Sequence, residues 1–160
     1  MEPLSTLHAL RREGRQEEAL ALALRAAEAA PGEAELRFET ACLHDYLGLE
    51  AQAVPHYRAA LQGQLSAASR RGALLGLGST LRTLGRFAEA LDVFEQGVAE
   101  FPEAADIQVF RAMALHNLGR GKEALELTLR LLAATTSDAA IRSYREAIEL
   151  YAQDLDRTWP

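Results

Sequence analysis

Four glycines, Gly14, Gly48, Gly85 and Gly119, recur along the chain at intervals of 34, 37 and 34 residues. Five positions after each stands an alanine (Ala19, Ala53, Ala90, Ala124), and the next residue is aliphatic (Leu20, Val54, Leu91, Leu125). A repeat of this length, with a helix on each side of a turn glycine, specifies a stack of helical hairpins. Glycine suits the turn because it enters the left-handed conformation that ends a helix without a Cβ penalty. A stack of this kind is a surface for holding another molecule, so the repeat points to binding without naming what is bound.

The third unit, 71–104, carries the fullest pattern: Leu74-x-x-Leu77-Gly78-x-x-Leu81, then Gly85, Ala90-x-x-x-Phe94 and Pro102. This spacing resembles the tetratricopeptide repeat, with leucines where that family often has Trp and Tyr. The resemblance implies an all-α fold, a right-handed α–α superhelix of four helical hairpins plus a C-terminal capping helix. In that arrangement small Gly78 and Ala90 let the paired helices approach, Leu74, Leu77, Leu81 and Phe94 fill the space between hairpins, and Pro102 ends the second helix. Aligning the glycines divides a single domain, 1–160, into units 1–33, 34–67, 71–104 and 105–138. The extra residues Ala68, Ser69 and Arg70 are expected to lengthen the loop before the third unit. The first unit has a short first helix, and the fourth has Thr128 and Thr136 where Phe and Pro are expected.

After Thr135-Thr136-Ser137-Asp138, a helix N-cap cluster, the residues Ile141, Tyr144, Ile148, Tyr151 and Leu155 mark one face of a helix over about 139–156. Such a helix covers the apolar side of the last hairpin. Tyr144, Tyr151 and Trp159 suit either that capping role or an interface with a second copy, a possible homodimer. The stretches 44–48, 53–57 and 72–82 look like those of small stand-alone bacterial tetratricopeptide proteins, a resemblance that transfers no biochemical activity. Pro55 is placed near the start of its helix, where a missing N–H costs little.

Charge narrows the partner class. A net charge of −6 and a pI near 5.3 argue against nucleic acid and anionic membrane lipid as main partners. Arg11-Arg12 and Arg70-Arg71 are too short to reverse that. Lysine occurs only at Lys122, the rest of the 17 basic residues being arginine, a composition expected of a GC-rich bacterial genome. One cysteine, Cys42, permits no internal disulfide and suits a cytoplasmic location. The N-terminus lacks the basic and apolar runs of a signal peptide, and no apolar run is long enough to span a bilayer.

No catalytic or metal-binding constellation emerges. His8, His44, His56 and His116 have no partner at metal-ligand spacing. Cys42, His44 and Asp45 look like a catalytic trio when read in line, but a helix turns His44 away from Cys42. Gly72-x-x-x-Gly76-x-Gly78 lies within a helix pattern with no lysine following, so it is not a phosphate loop. The chain is therefore expected to be no enzyme and to carry no cofactor.

Binding is expected on the concave side, which the resemblance assigns to the first helix of each hairpin. The peptide groove so defined comprises Phe38, Cys42, Asp45, Tyr46, Leu75, Gly76, Ser79, Arg82, Val109, Met113 and His116. Gly72, Gly76, Ser79 and Thr83 form a stripe of small residues that is either a floor for a ligand or a close contact with a neighbouring helix. The carboxylate clamp of chaperone-binding family members is missing. Its places hold Leu4, His8, Glu39, Gly72 and Gly76, or in the next register Phe38, Cys42, Gly76, Asp106 and Phe110. The expected function is a non-catalytic protein–protein interaction module that takes a peptide or helical segment of another protein in the groove. The alternative is self-association through the C-terminal end of the stack.

Overall fold

A computed structural model describes residues 3–158. Within them the chain forms ten helices and no strand. Four antiparallel hairpins follow one another: α1 (Pro3–Arg12) with α2 (Gln16–Ala29), α3 (Ala34–Tyr46) with α4 (Glu50–Gln62), α5 (Ala67–Thr83) with α6 (Phe87–Glu100), and α7 (Ala105–Asn117) with α8 (Gly121–Thr135). Two short helices, α9 (Ala139–Ser143) and α10 (Arg145–Tyr151), complete the chain. Each hairpin packs on the next through its second helix, so α2 meets α3, α4 meets α5 and α6 meets α7. The result is the right-handed superhelical stack expected from the repeat.

The turn glycines do what their spacing requires. Gly14, Gly48, Gly85 and Gly119 all have φ between 72° and 77°. Their N–H groups bond the carbonyls of Arg11, Asp45, Arg82 and His116, and the following N–H reaches one residue further back, as from Arg86 to Leu81 at 2.9 Å. This double closure satisfies carbonyls that a helix end otherwise leaves open. In three turns the residue after glycine is arginine, and it pairs with a glutamate in the first turn of the next helix: Arg15 with Glu18, Arg86 with Glu89, Arg120 with Glu123. The glutamate thus sits near the positive end of the helix dipole with its charge partly matched.

The core is built of alanine and leucine, as close helix packing demands. Ala19, Ala53 and Ala90 are fully buried, and Ala124 nearly so. Phe94 is also fully buried, its ring lying against Gly78, where an added Cβ would collide with it. That contact is the hairpin approach the sequence pattern calls for.

Three local expectations need correction. Ala68, Ser69 and Arg70 do not lengthen a loop. They extend α5 to 17 residues, against 13 in α3 and α7, because Ser66 caps the helix early by accepting from the Ser69 N–H. Pro55 is inside α4 rather than at its start. The carbonyl of Ala51 loses its partner there, and the exposed position of Ala51 lets water serve instead. The capping segment is not one helix: it breaks at Tyr144, whose N–H bonds the Ile141 carbonyl in a tightened turn. Tyr144 and Tyr151 stand in solvent, while Ala152 is the residue buried at this end. Trp159 lies outside the described residues.

Candidate functional site

The sequence-predicted groove residues divide into three groups. In the middle of the stack, side chains from α3 and α4 occupy the space that the small residues leave. The ring of Tyr57 lies against Gly76, where a Cβ would come 2.5 Å from its hydroxyl oxygen, and the ring of Phe38 lies against Gly72 at 2.9 Å by the same measure. Phe38 and Tyr57 are in tilted ring contact, with centroids 6.3 Å apart. The small-residue stripe is therefore a packing contact at these two positions, and Gly76 is covered.

Tyr57 also organises the polar residues around it. Its hydroxyl donates to Asp45 Oδ2 at 2.8 Å and lies 3.7 Å from Cys42 Sγ. Thr80 Oγ1 is 2.7 Å from the same carboxylate oxygen and 2.8 Å from the Gly76 carbonyl, so its single proton serves one of them at a time. Burial raises the Asp45 carboxyl above its ordinary value, and the two hydroxyl donors pull it back down. Burial pushes the Cys42 thiol up to about 11, which leaves it protonated and unreactive at neutral pH. Cys42 and Asp45 thus serve the joint between the second and third hairpins. His44 is turned to the other side, where its ring stacks on His56 at 5.1 Å. Ser79 and Leu75 are partly buried beside this joint.

At the C-terminal end the picture reverses. Arg82, Val109, Met113 and His116 come together with Ala112, Asn117 and the α8 residues Gly121, Ala124, Leu125 and Thr128 around an open pocket of about 450 Å³. Its origin is legible in the repeat. Six positions after each turn glycine stand Leu20, Val54, Leu91 and Leu125. Val54 is 5% exposed and Leu91 6%, because the first helix of the next hairpin covers each, whereas Leu125 is 52% exposed. The capping segment runs antiparallel along α8, held by Arg145 Nε on the Ala133 carbonyl at one end and Lys122 on Asp154 at the other. It packs mainly on α8, through α10. A wedge stays open where a fifth hairpin would touch the fourth, and Val109 and Met113, each 40% exposed, form its wall.

Tyr46 belongs to neither group. It is 68% exposed and borders a second pocket of about 410 Å³ near the N-terminal end, with His8, Arg11, Arg12 and Gln16. Arg11 and His8 both contact Glu39 there.

Sequence reasoning missed the α8 side of the C-terminal pocket. The available signal was Thr128, which stands where the second and third hairpins have Tyr57 and Phe94. A small residue at that place removes the ring that would reach into the wedge. Among the described residues no group of three or more His, Cys, Asp or Glu is placed to hold a metal ion. No helix among them is long and apolar enough to cross a membrane.

A family model described as a tetratrico peptide repeat matches residues 34–155. Among solved structures, YrrB, described as a TPR protein with an unusual peptide-binding site, matches with a TM-score of 0.74 at 18% identity, covering 96% of this chain and 78% of its own. A MamA double mutant (RS-1 ArsTM) matches at TM-score 0.74 and 18% identity, covering 95% of this chain and 84% of its own. TTC0263, a thermophilic TPR protein of Thermus thermophilus, matches at TM-score 0.61 and 24% identity, covering 96% of this chain and 83% of its own. At these identities the likeness is one of fold. No curated protein matches.

Proposed function

The chain belongs to the tetratricopeptide-repeat family, and on that premise we propose that it is a non-catalytic module that holds a peptide or helical segment of another protein on its concave side. The observation that carries this reading is the exposure of Leu125 where the equivalent Val54 and Leu91 are covered. Beside it, Val109 and Met113 offer apolar contact while Arg82, His116 and Asn117 form a polar rim. A concave apolar patch with a few polar groups at its edge is the usual form of a recognition site. Burying one leucine-sized side chain there contributes about 1.5–3 kcal/mol. Micromolar affinity requires about 8 kcal/mol, so the partner must engage several positions along the groove.

Panning a displayed random-peptide library on the protein and measuring the recovered peptides by fluorescence anisotropy tests this. Met113→Glu combined with Leu125→Glu should weaken those peptides tenfold or more at an unchanged unfolding midpoint. Equal binding to the variant removes the concave pocket from consideration.

A second reading, self-association through the C-terminal end, draws on the distribution of exposed apolar side chains. Of the eleven large ones exposed among the described residues, nine lie from Val109 onward. Apolar surface gathered in one region marks an interaction site, and a two-fold interface pairs the same patch on both copies. Light scattering over a range of concentrations decides it: a concentration-independent monomer excludes this reading.

A further inference from the structure

Arginines stand on the first and third hairpins along the groove of this acidic chain. The positions three before each turn glycine, Arg11, Asp45, Arg82 and His116, form one row across the stack, and the next positions, Arg12, Tyr46, Thr83 and Asn117, form another. Asp45 is the only carboxylate in the two rows, and it faces the hydroxyls of Tyr57 and Thr80 at the joint between hairpins. Other carboxylates on the first helices are also engaged. Glu39 is covered by Arg11 and His8, Glu35 accepts from the Ser66 N–H, and Asp106 pairs with Arg71. No Asp or Glu lines the C-terminal pocket or the pocket formed by His8, Arg11, Arg12, Gln16 and Tyr46, although the chain carries 23 of them against 17 Lys and Arg; Glu17 and Glu18 line the neighbouring pocket on the other side of Gln16 and Tyr46, beside Arg15.

Two arginines in this groove keep unused capacity. Arg12 is exposed, and among the described residues it has no carboxylate partner. Arg82 gives one terminal nitrogen to the neutral Asn117 Oδ1 at 3.3 Å and, among the described residues, has no carboxylate partner. Arginine forks match carboxylates in geometry as well as charge.

From this charge complementarity we infer that the groove recognises an acidic segment: side-chain carboxylates of a partner peptide at Arg12 and Arg82, with an apolar residue between Val109, Met113 and Leu125. The inference rests on the concave-groove reading and adds the chemical class of the partner. Helices pack 8–10 Å apart, so arginines two hairpins apart are separated by about 20 Å. An extended peptide covers that distance in about six residues. The motif is therefore two acidic positions about six residues apart, the second next to a large apolar side chain. It needs no free C-terminus, which agrees with the absent carboxylate clamp. A peptide is favoured over nucleic acid because the chain carries a net charge of −6 and the pocket wall at Val109, Met113 and Leu125 suits an apolar side chain.

The test uses a fluorescein-labelled, amide-capped peptide of about twelve residues with glutamates at the two acidic positions and leucines directly beyond the second, on the side away from the first. Its glutamine and lysine versions and a uridine oligonucleotide complete the set of probes. Anisotropy titrations should show the glutamate peptide binding at least tenfold more tightly than the glutamine one. Arg12→Glu and Arg82→Glu should each lose that advantage, and Arg25→Glu, on the outer side of α2, should keep it. Because Arg82→Glu can disturb its contact with Asn117, its unfolding midpoint is measured, and the exposed Arg12→Glu decides the matter if Arg82→Glu is unfolded. Equal binding of the glutamate, glutamine and lysine peptides overturns the acidic inference and leaves the groove reading in place. Binding of none of the three also overturns it, and the groove reading then stands or falls on the displayed peptides. Preference for the oligonucleotide, or an equal loss in Arg25→Glu, likewise overturns it.

Discussion

Tyr57 and Gly76 are shaped for each other across the joint between the second and third hairpins. The Tyr57 ring occupies the space a side chain on residue 76 would need, with its hydroxyl oxygen 2.5 Å from the place of the missing Cβ. The hydroxyl cannot swing away freely, because it donates to Asp45. A glycine within a helix, unfavourable by itself, is thus explained by a ring from another hairpin.

Gly76→Ala should therefore destabilise the protein although alanine is the better helix former. Propensity favours the variant by about 1 kcal/mol, and overpacking against a pinned ring opposes it by about 1–3 kcal/mol. The expected net loss is about 1 kcal/mol in urea denaturation, and Gly76→Arg should lose more. A stabilised Gly76→Ala protein would show that the ring does not fill this space.

Tyr57→Phe keeps the ring and removes the hydroxyl. Asp45 is left with Thr80 as its hydroxyl donor in a partly buried place. The expected cost is about 1–3 kcal/mol, the range for leaving a buried acceptor short of a partner. A double-mutant cycle with Thr80→Val checks the network, since partners in one network are non-additive. Additive losses would mean that the two hydroxyls act independently.

Acid should loosen the second hairpin. His44 is buried, with its Nδ1 donating to the Thr40 carbonyl at 2.9 Å, and its ring stacks on His56. His56 Nδ1 lies 3.5 Å from Arg37 Nη1, an arrangement that needs a neutral imidazole. Burial lowers the His56 pKa below its ordinary value, and His44 and Arg37 lower it further. The unfolded chain then binds more protons than the folded one in the interval below the ordinary histidine value of about 6.5. Stability is fully present above that value and is lost as pH falls through the interval. Thermal midpoints measured from pH 7.5 to 5 should fall, and His56→Gln should flatten the slope; an unchanged slope would place the titrating group elsewhere.

Leu91→Glu and Leu125→Glu alter the same repeat position with opposite consequences. Leu91 is covered by the next hairpin, so a carboxylate there should cost several kcal/mol by burying an unpaired charge. Leu125 faces the open wedge, and its variant should stay within about 0.5 kcal/mol of the wild type. Equal losses would show that the capping segment covers Leu125 after all.

The order of elements was legible because each hairpin is closed by local chemistry. A glycine with positive φ and the alanine five residues on act within one turn and one crossing, and a sequence displays both. Gly78 was legible for the same reason, since Phe94 follows within its own unit. Gly76 was not, because the ring that covers it comes from the preceding unit and the same small side chain serves a groove or a contact. The three residues before Arg71 misled for a related reason: an insertion can join a loop or a helix, and the Ser66 cap decided for the helix.

Periodicity alone determined that this chain stacks hairpins and where each turn falls, since those follow from backbone constraints repeated every 34 or 37 residues, while the inward side was assigned by the family resemblance. Only the tertiary structure decided which part of the inward face is open. Tyr57 and Phe38 covered the glycines at the centre, and a cap lying along α8 left the wedge at Leu125. Both outcomes depend on how side chains and segments distant in sequence share one volume, and close packing settles that in three dimensions.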